Sequence, residues 1–338
     1  MKERGEERDP VADRARAREP GRGRDAERPQ DIPGRGWRDV AVRVFRELGR
    51  DNVGLVAAGI ALYSLLAVFP GIAALVSLYA LFASPGDVVR HVGSLAGLLP
   101  PAASDVITSL LMTLSRSAGG AVEFGAIAGI LIALWGARRA MAALMTAMNI
   151  VYDERETRGI FRKALVSMAL TLYAIIAGIV VVALGVIAPI VIEVLPLGSW
   201  ANSVLDVLRW VVLWSFAVIT LGVVYRFAPD REHARWRWVT WGSAFAATLW
   251  LVASLLFTMY VANFGKYTET YGALGGVVIL LLWFWLSGVV AILGAEINAE
   301  MEHQTARDTT TGPYQPLGRR DAYVADTVGA ASGGSRSK

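Results

Sequence analysis

Six long, mostly apolar stretches, at 54–82, 121–151, 164–192, 204–227, 239–264 and 271–297, constrain this chain more than any other feature. A hydrocarbon core of about 30 Å needs roughly 20 apolar residues in a helix, and each stretch meets that length. All are far too long for barrel strands, and a segment surrounded by lipid must satisfy its own backbone hydrogen bonds. The predicted architecture is therefore all-α, a polytopic membrane protein with six transmembrane helices. Composition agrees, with 54% hydrophobic residues and a mean hydropathy of +0.45.

Orientation follows from the basic residues. The connection at 153–163 carries Arg155, Arg158, Arg162 and Lys163, and the connection at 226–238 carries Arg226, Arg231, Arg235 and Arg237. The segments at 83–120, 193–203 and 265–270 hold only Arg90, Arg116 and Lys266. The positive-inside rule then predicts a multi-pass protein of a bacterial cytoplasmic (inner) membrane with both termini in the cytoplasm. Trp236, Trp238 and Trp241 fall where an inner aromatic belt belongs, and Trp200 and Trp210 where an outer one does.

The flanks read differently. Residues 1–36 mix Arg with Asp, Glu, Gly and Pro and contain few residues able to form a core, so a disordered tail is expected, as it is for 303–338. The membrane domain occupies 37–302. At its start, Trp37, Val40, Val44 and Leu48 recur at helical spacing among Arg38, Arg43 and Arg46, the pattern of a basic helix on an anionic leaflet. Between the first and second spans, Val88, Val89, Val92, Leu95 and Leu99 form one apolar stripe and Val106, Ile107, Leu110, Leu111 and Leu114 a second, separated by Pro100 and Pro101. Two short amphipathic outer helices are predicted there.

Five local patterns, in order along the chain, resemble the BrkB/YihY family of bacterial inner-membrane proteins, once mislabelled as a ribonuclease. They are Ala61-Leu62-Tyr63-Ser64-Leu65-Leu66-Ala67-Val68-Phe69-Pro70, Ala147-Met148-Asn149-Ile150-Val151-Tyr152, Tyr225-Arg226-Phe227-Ala228-Pro229-Asp230, Tyr271-Gly272-Ala273-Leu274-Gly275 and Gly294-Ala295-Glu296-Ile297-Asn298. The resemblance runs from about 37 to 302. It departs at Trp135-Gly136-Ala137-Arg138-Arg139, where family members more often carry Ser and other small residues. The resemblance implies a six-helix inner-membrane protein tied to the envelope and to lipid export, with no settled activity.

Several residues are candidates for a substrate path or headgroup contacts. Pro70 removes a backbone donor inside the first span and frees the carbonyl of Leu66, which can serve a cavity or a plain packing kink. Arg138 and Arg139 follow an apolar run from Ala121 and are expected near the inner interface, with 140–152 continuing as an interfacial helix. They could snorkel to headgroups or bind a lipid phosphate through the guanidinium fork. Tyr63, Asn149, Tyr225, Arg226, Asn263 and Tyr271 put polar groups at or near span ends, where they bond neighbouring helices or line a path. Glu296 could pair with a buried Arg or carry a proton in a transport cycle. Gly125 with Gly129, and Gly272 with Gly276, have the spacing for close helix contact.

Enzymatic chemistry finds little purchase. Cysteine is absent, which removes thiolate metal sites and cysteine nucleophiles. Glu300 and His303 have Glu-x-x-His spacing, but a di-iron bundle needs a second such pair and further carboxylates, and the chain holds 3 His. No P-loop, dinucleotide-binding glycine pattern or Gly-x-Ser-x-Gly elbow occurs, so no cofactor or metal is expected. The leading expectation is a non-enzymatic transporter or translocation factor for a lipid or other amphipathic envelope component. Its partners would be membrane lipids and an amphipathic substrate, not nucleic acid, with self-association compatible. The alternative is an envelope integrity protein acting through protein partners; ribonuclease activity lacks a catalytic cluster.

Overall fold

In a computed structural model, the protein is described over residues 9–80, 121–182, 184, 199–263 and 273–332. The predicted outer amphipathic helices at 88–114 lie outside the described residues, as does Tyr271. The elements in order are α1 (Pro10–Arg16), a short 3-10 turn (Pro29–Asp31), α2 (Gly34–Arg50), α3 (Val53–Ala80), α4 (Ala121–Val151), α5 (Ile160–Val182), α6 (Ser199–Phe227), α7 (Trp236–Asn263), α8 (Ala273–Glu302) and α9 (Tyr323–Asp326). Among the described residues the β-structure is one isolated antiparallel bridge, Ala234 to Thr310. Six helices, α3 to α8, are long and apolar enough to cross a membrane.

The expected span limits shift at four helices, α6 beginning at Ser199 rather than 204. α5 begins at Ile160 rather than 164, α7 at Trp236 rather than 239, and α8 continues to Glu302 rather than 297. Each extension adds polar residues that are helical because they pack against protein or sit at a helix end. Asn52, with φ of +50°, makes the turn between α2 and α3 in the left-handed conformation that an Asn side chain tolerates.

The chain divides into two compact units. Unit 1 comprises residues 1–56, 144–252 and 289–338, and unit 2 comprises 57–143 and 253–288. Within unit 1, Ala26, Ile32, Val40, Val44, Trp238 and Met301 form a buried apolar cluster, flanked by Trp37, Leu48, Leu293 and Ile297. The apolar stripe of α2 is therefore real, but it faces protein rather than a leaflet. Trp238 is likewise fully buried and does not join a belt, whereas Trp236 and Trp241 are exposed.

The tails correct the sequence reading most. Residues 9–36 and 303–332 are ordered and folded into unit 1, with Thr305, Asp308, Thr309, Arg320, Val324 and Ala325 buried. Asp9 caps α1 by accepting from the N–H groups of Val11 and Ala12, both at 3.0 Å. Arg320 donates to the carbonyls of Ala306, Arg307, Gln315 and Ala325. The disorder expectation weighs apolar content, whereas these segments are held by charge-assisted hydrogen bonds, such as those from Arg24 to the Gln304 and Gly329 carbonyls and from Arg16 to the Val328 carbonyl.

In unit 2 the helices approach through small residues. A Cβ built on Gly136 of α4 would lie 2.9 Å from the Cα of Ala67 in α3, and one on Gly71 would lie 3.8 Å from Ala133 Cβ. A Cβ on Gly288 of α8 would lie 3.3 Å from Ala57 Cβ. Close contact thus uses Gly136 and Gly288; Gly272 of the predicted pairs lies outside the described residues.

Candidate functional site

The sequence candidates separate into two groups, each within one unit. Tyr63, Pro70, Arg138 and Arg139 belong to unit 2, and Asn149, Tyr225, Arg226 and Glu296 to unit 1. Asn263 closes α7, but its side chain lies outside the described set.

In unit 2 the finding is the depth of the arginine pair. α4 runs unbroken to Val151, and Met141, Met145, Ala147 and Met148 are buried. Arg139 is 12 residues short of the helix end, about 18 Å at 1.5 Å per residue. The apolar span of this helix is Ile127–Val151, which puts both guanidiniums near its middle. Arg139 is exposed and stands over the ring of Trp135, 5.4 Å from its centroid. Among the described residues it has no carboxylate partner. The antiparallel register of α3 on α4, Ala67 by Gly136 and Gly71 by Ala133, puts Tyr63 about one turn further along, at roughly the level of residue 140. Pro70 sits inside α3 beside the Gly71 contact.

In unit 1 the last two turns of α8 form a buried polar post. Glu296, Asn298, Glu300 and Glu302 are all buried. Glu302 receives both Arg231 terminal nitrogens, at 2.8 and 3.2 Å, and the hydroxyl of Thr309 at 2.7 Å. The Arg231 guanidinium also covers the Tyr152 ring at 4.9 Å. Glu300 pairs with Arg43 of α2, which donates further to the Glu300 carbonyl at 3.0 Å and to Gln304 Oε1 at 2.8 Å. The Glu-x-x-His pair is occupied by this network: Glu300 faces Arg43, and His303 Nε2 meets the Thr327 hydroxyl at 3.1 Å. Asn298 Oδ1 accepts from the Gly242 N–H at 2.8 Å, where α7 and α8 cross. A Cβ on Gly294 would lie 2.5 Å from both Ala246 Cβ and the Tyr225 hydroxyl, so the crossing requires glycine.

Glu296 differs from its neighbours. Its Oε1 has no hydrogen-bond partner, and the charges acting on it most strongly, Asp51, Glu300 and Glu47, share its sign. The expected pairing with a buried Arg goes instead to Glu300 and Glu302. Tyr225 donates to the Ala291 carbonyl at 2.8 Å, and Arg226 to the Ala234 carbonyl at 2.6 Å while stacking on Trp236. Asn149 receives the Asp230 N–H at 2.8 Å and donates to Glu156 at 3.3 Å. These three hold the connections of unit 1 in place.

Outside the spans, several titrating groups are displaced. Burial pushes the Asp39 carboxyl up, but Ser332, through its hydroxyl and N–H, and Arg22 at 2.6 Å outweigh it and hold Asp39 below the ordinary value. Asp230 is held low in the same way: burial opposes, and Thr157 and Arg158 win. For Asp308 burial again opposes, and Gln315 and Thr310 prevail. His233 is pushed below its ordinary value by burial and by Arg226. Sequence reasoning missed Arg24, Arg43, Arg231 and Arg320 as structural cations, although the alternation Glu296, Asn298, Glu300, Glu302 at the end of an apolar helix signals a polar post needing cations.

The comparisons with known proteins settle the family. The family model described as Virulence factor BrkB matches residues 44–317. This chain belongs to the BrkB family. A putative ribonuclease-like protein, YfkH of Bacillus subtilis (strain 168), is 32% identical over 263 residues, covering 76% of this chain and 93% of the relative. The UPF0761 membrane protein VP0125 of Vibrio parahaemolyticus is 28% identical over 274 residues, covering 77% and 81%. A UPF0761 membrane protein of Albidiferax ferrireducens is 26% identical over 290 residues, covering 82% and 65%. No solved structure matches. The BrkB match begins within α2 and extends past α8, so it takes in all six spans and part of the C-terminal tail.

Proposed function

We propose that this BrkB-family protein is a translocation factor for an amphipathic envelope component with an anionic headgroup, acting in the cytoplasmic membrane with both tails inside. The observation that carries the reading is the Arg138–Arg139 pair near the middle of a span, with Arg139 uncovered by protein. A guanidinium at mid-depth is costly unless water or an anion reaches it, and its side chain is too short to bridge about 18 Å to the helix end. A headgroup moving along α4 would meet a fork-shaped cation at the depth where its own charge is hardest to accommodate. Glu296, buried without a cation, is the side chain available to couple such movement to a proton. The tails fold onto the Arg-rich connections, which supports a cytoplasmic assignment for that end.

Proteoliposomes carrying headgroup-labelled lipid analogues test this. Wild-type protein should speed exchange of an anionic analogue between leaflets, and Arg138→Gln with Arg139→Gln should remove most of the increment without lowering the thermal transition. Exchange equal to that of empty vesicles, or an undiminished rate in the double variant, ends the reading. The rival function, envelope integrity through protein partners, draws on the folded tails as a docking platform; crosslinking that follows deletion of 303–338 would favour it. The ribonuclease-like name belongs to YfkH. Among the described residues no three His, Asp or Glu side chains group to hold a metal, and RNA cleavage lost at one substituted acid would be needed to bring that activity here.

A further inference from the structure

Unit 1 carries a surface groove of about 460 Å³ lined by Arg28, Pro29, Gln30, Arg237, Thr240 and Trp241. Two of these residues are arginines and none is acidic. Neither guanidinium has a protein partner among the described residues, and the Nε of Arg237 is buried without one. Elsewhere in this unit the buried arginines are committed: Arg24, Arg43, Arg231 and Arg320 each bond carboxylates or carbonyls. Arg28 and Arg237 stand apart from that pattern.

The groove's walls are fixed by local structure. Arg28 precedes the 3-10 turn, and its backbone N–H donates to Asp31 Oδ2 at 2.9 Å while Pro29 is buried. Arg237 lies in the first turn of α7, between exposed Trp236 and fully buried Trp238. The Thr240 hydroxyl donates to the Trp236 carbonyl at 2.8 Å, so it offers the groove acceptor lone pairs rather than a proton. The donors facing a ligand are then two guanidiniums and the Gln30 amide. The partial positive charge at the start of α7 adds to them. Trp241 forms the apolar side; it is exposed, contacts Trp37 with ring centroids 6.0 Å apart, and is followed one turn on by exposed Phe245.

We infer that this groove binds the phosphate of an anionic phospholipid. Two unpaired guanidiniums match phosphate oxygens in geometry and charge. The Trp241 and Phe245 side chains continue along an apolar span, where acyl chains lie, and a Trp at the interface suits the junction of headgroup and chain. A free phosphate ester would use the same guanidiniums but gain nothing from that apolar continuation. The site is separate from Arg138 and Arg139 in sequence and unit, so its lipid serves to seat the folded tails at the membrane and not as cargo.

The test is native mass spectrometry of the full chain released from nanodiscs containing phosphatidylcholine with a minor share of phosphatidylglycerol. Wild type should retain phosphatidylglycerol selectively. Arg28→Gln with Arg237→Gln should weaken retention about tenfold or more, since both charged donors to the phosphate are removed. Arg38→Gln, exposed on α2 and outside the groove, should leave it unchanged. Trp241→Ala should also reduce retention, giving a second readout if the double variant folds poorly by its thermal transition. Equal retention in wild type and both groove variants, or an equal loss in Arg38→Gln, overturns the inference. Displacement by soluble glycerol phosphate at concentrations matching the lipid overturns the lipid assignment.

Discussion

Four helices, α3, α4, α7 and α8, contribute to both units, yet the two units hold themselves together by different means. Unit 2 relies on backbones brought close by small residues, Gly136 on Ala67 and Gly288 near Ala57, and its described charged side chains are Arg138 and Arg139. Unit 1 buries charges in number and answers nearly all of them: Glu302 with Arg231, Glu300 with Arg43, Asp39 with Arg22. Lipid is as apolar as Leu, so burying Leu offers a helix pair in unit 2 little advantage and contact distance decides. Unit 1 contains chain that leaves the apolar spans, and there ion pairs with complete hydrogen bonding can fix a unique arrangement. Charge without an opposite partner is therefore informative in either unit: Arg139 in one, Arg28 and Arg237 in the other, with Glu296 there facing carboxylates of its own sign.

The strongest way to break this contrast is to orphan a buried charge. Among the described residues, Arg231→Met leaves Glu302 with the Thr309 hydroxyl, and removing one partner of a buried pair costs about 3–5 kcal/mol. Chemical unfolding followed by Trp fluorescence should show that loss, whereas replacing both partners by apolar residues should recover much of it. A loss below about 1 kcal/mol would mean the pair is solvated and belongs with surface ion pairs. Next in size are the close approaches. Gly294→Ala in unit 1 and Gly136→Ala in unit 2 each drive a methyl into backbone or tightly held neighbours and should cost about 1–3 kcal/mol. If only one of them destabilises, the small-residue rule applies to one unit and not both.

The sequence made the spans legible because lipid imposes length and composition on every spanning helix, so the run at 121–151 reads the same with or without its neighbours. It hid the tails because their stability lies in pairings hundreds of residues apart, such as Arg24 with the carbonyls of Gln304 and Gly329. No window of composition reports such a pairing. The protein packed around the far end of α4 was hidden for a related reason: the run at 121–151 predicts the helix, but only the fold shows that Met141, Met145, Ala147 and Met148 are buried. Glu296 stands out in the sequence as a carboxylate at the end of an apolar run, while its separation from Arg43 and Arg231 emerges only once those two are seen to be taken by Glu300 and Glu302.

Acid should separate the two units next. Asp39, Asp230 and Asp308 all titrate below their ordinary values in the folded protein. A depressed carboxyl contributes its full stabilisation above the unfolded value, about 3.9, and loses it as pH falls through the lower folded value. Below about pH 4, residues 303–332 should become open to proteolysis while helical circular dichroism persists. Simultaneous loss of both would show that the tails and the spans form one cooperative block.

The smallest effect is expected where an ion pair is exposed and redundant. Lys163 lies 3.4 Å from Glu156, with 38% of the Lys163 side chain exposed. Glu156 keeps Arg158 at 3.1 Å and the Asn149 amide when Lys163 is removed, so no charge is left alone. Lys163→Ala should therefore cost about 0–1 kcal/mol, the range of surface pairs. A loss approaching that of Arg231→Met would show that this connection is shielded by something other than protein, most simply headgroups crowding the Arg-rich loop, and would tie the tail-bearing end of the bundle directly to lipid.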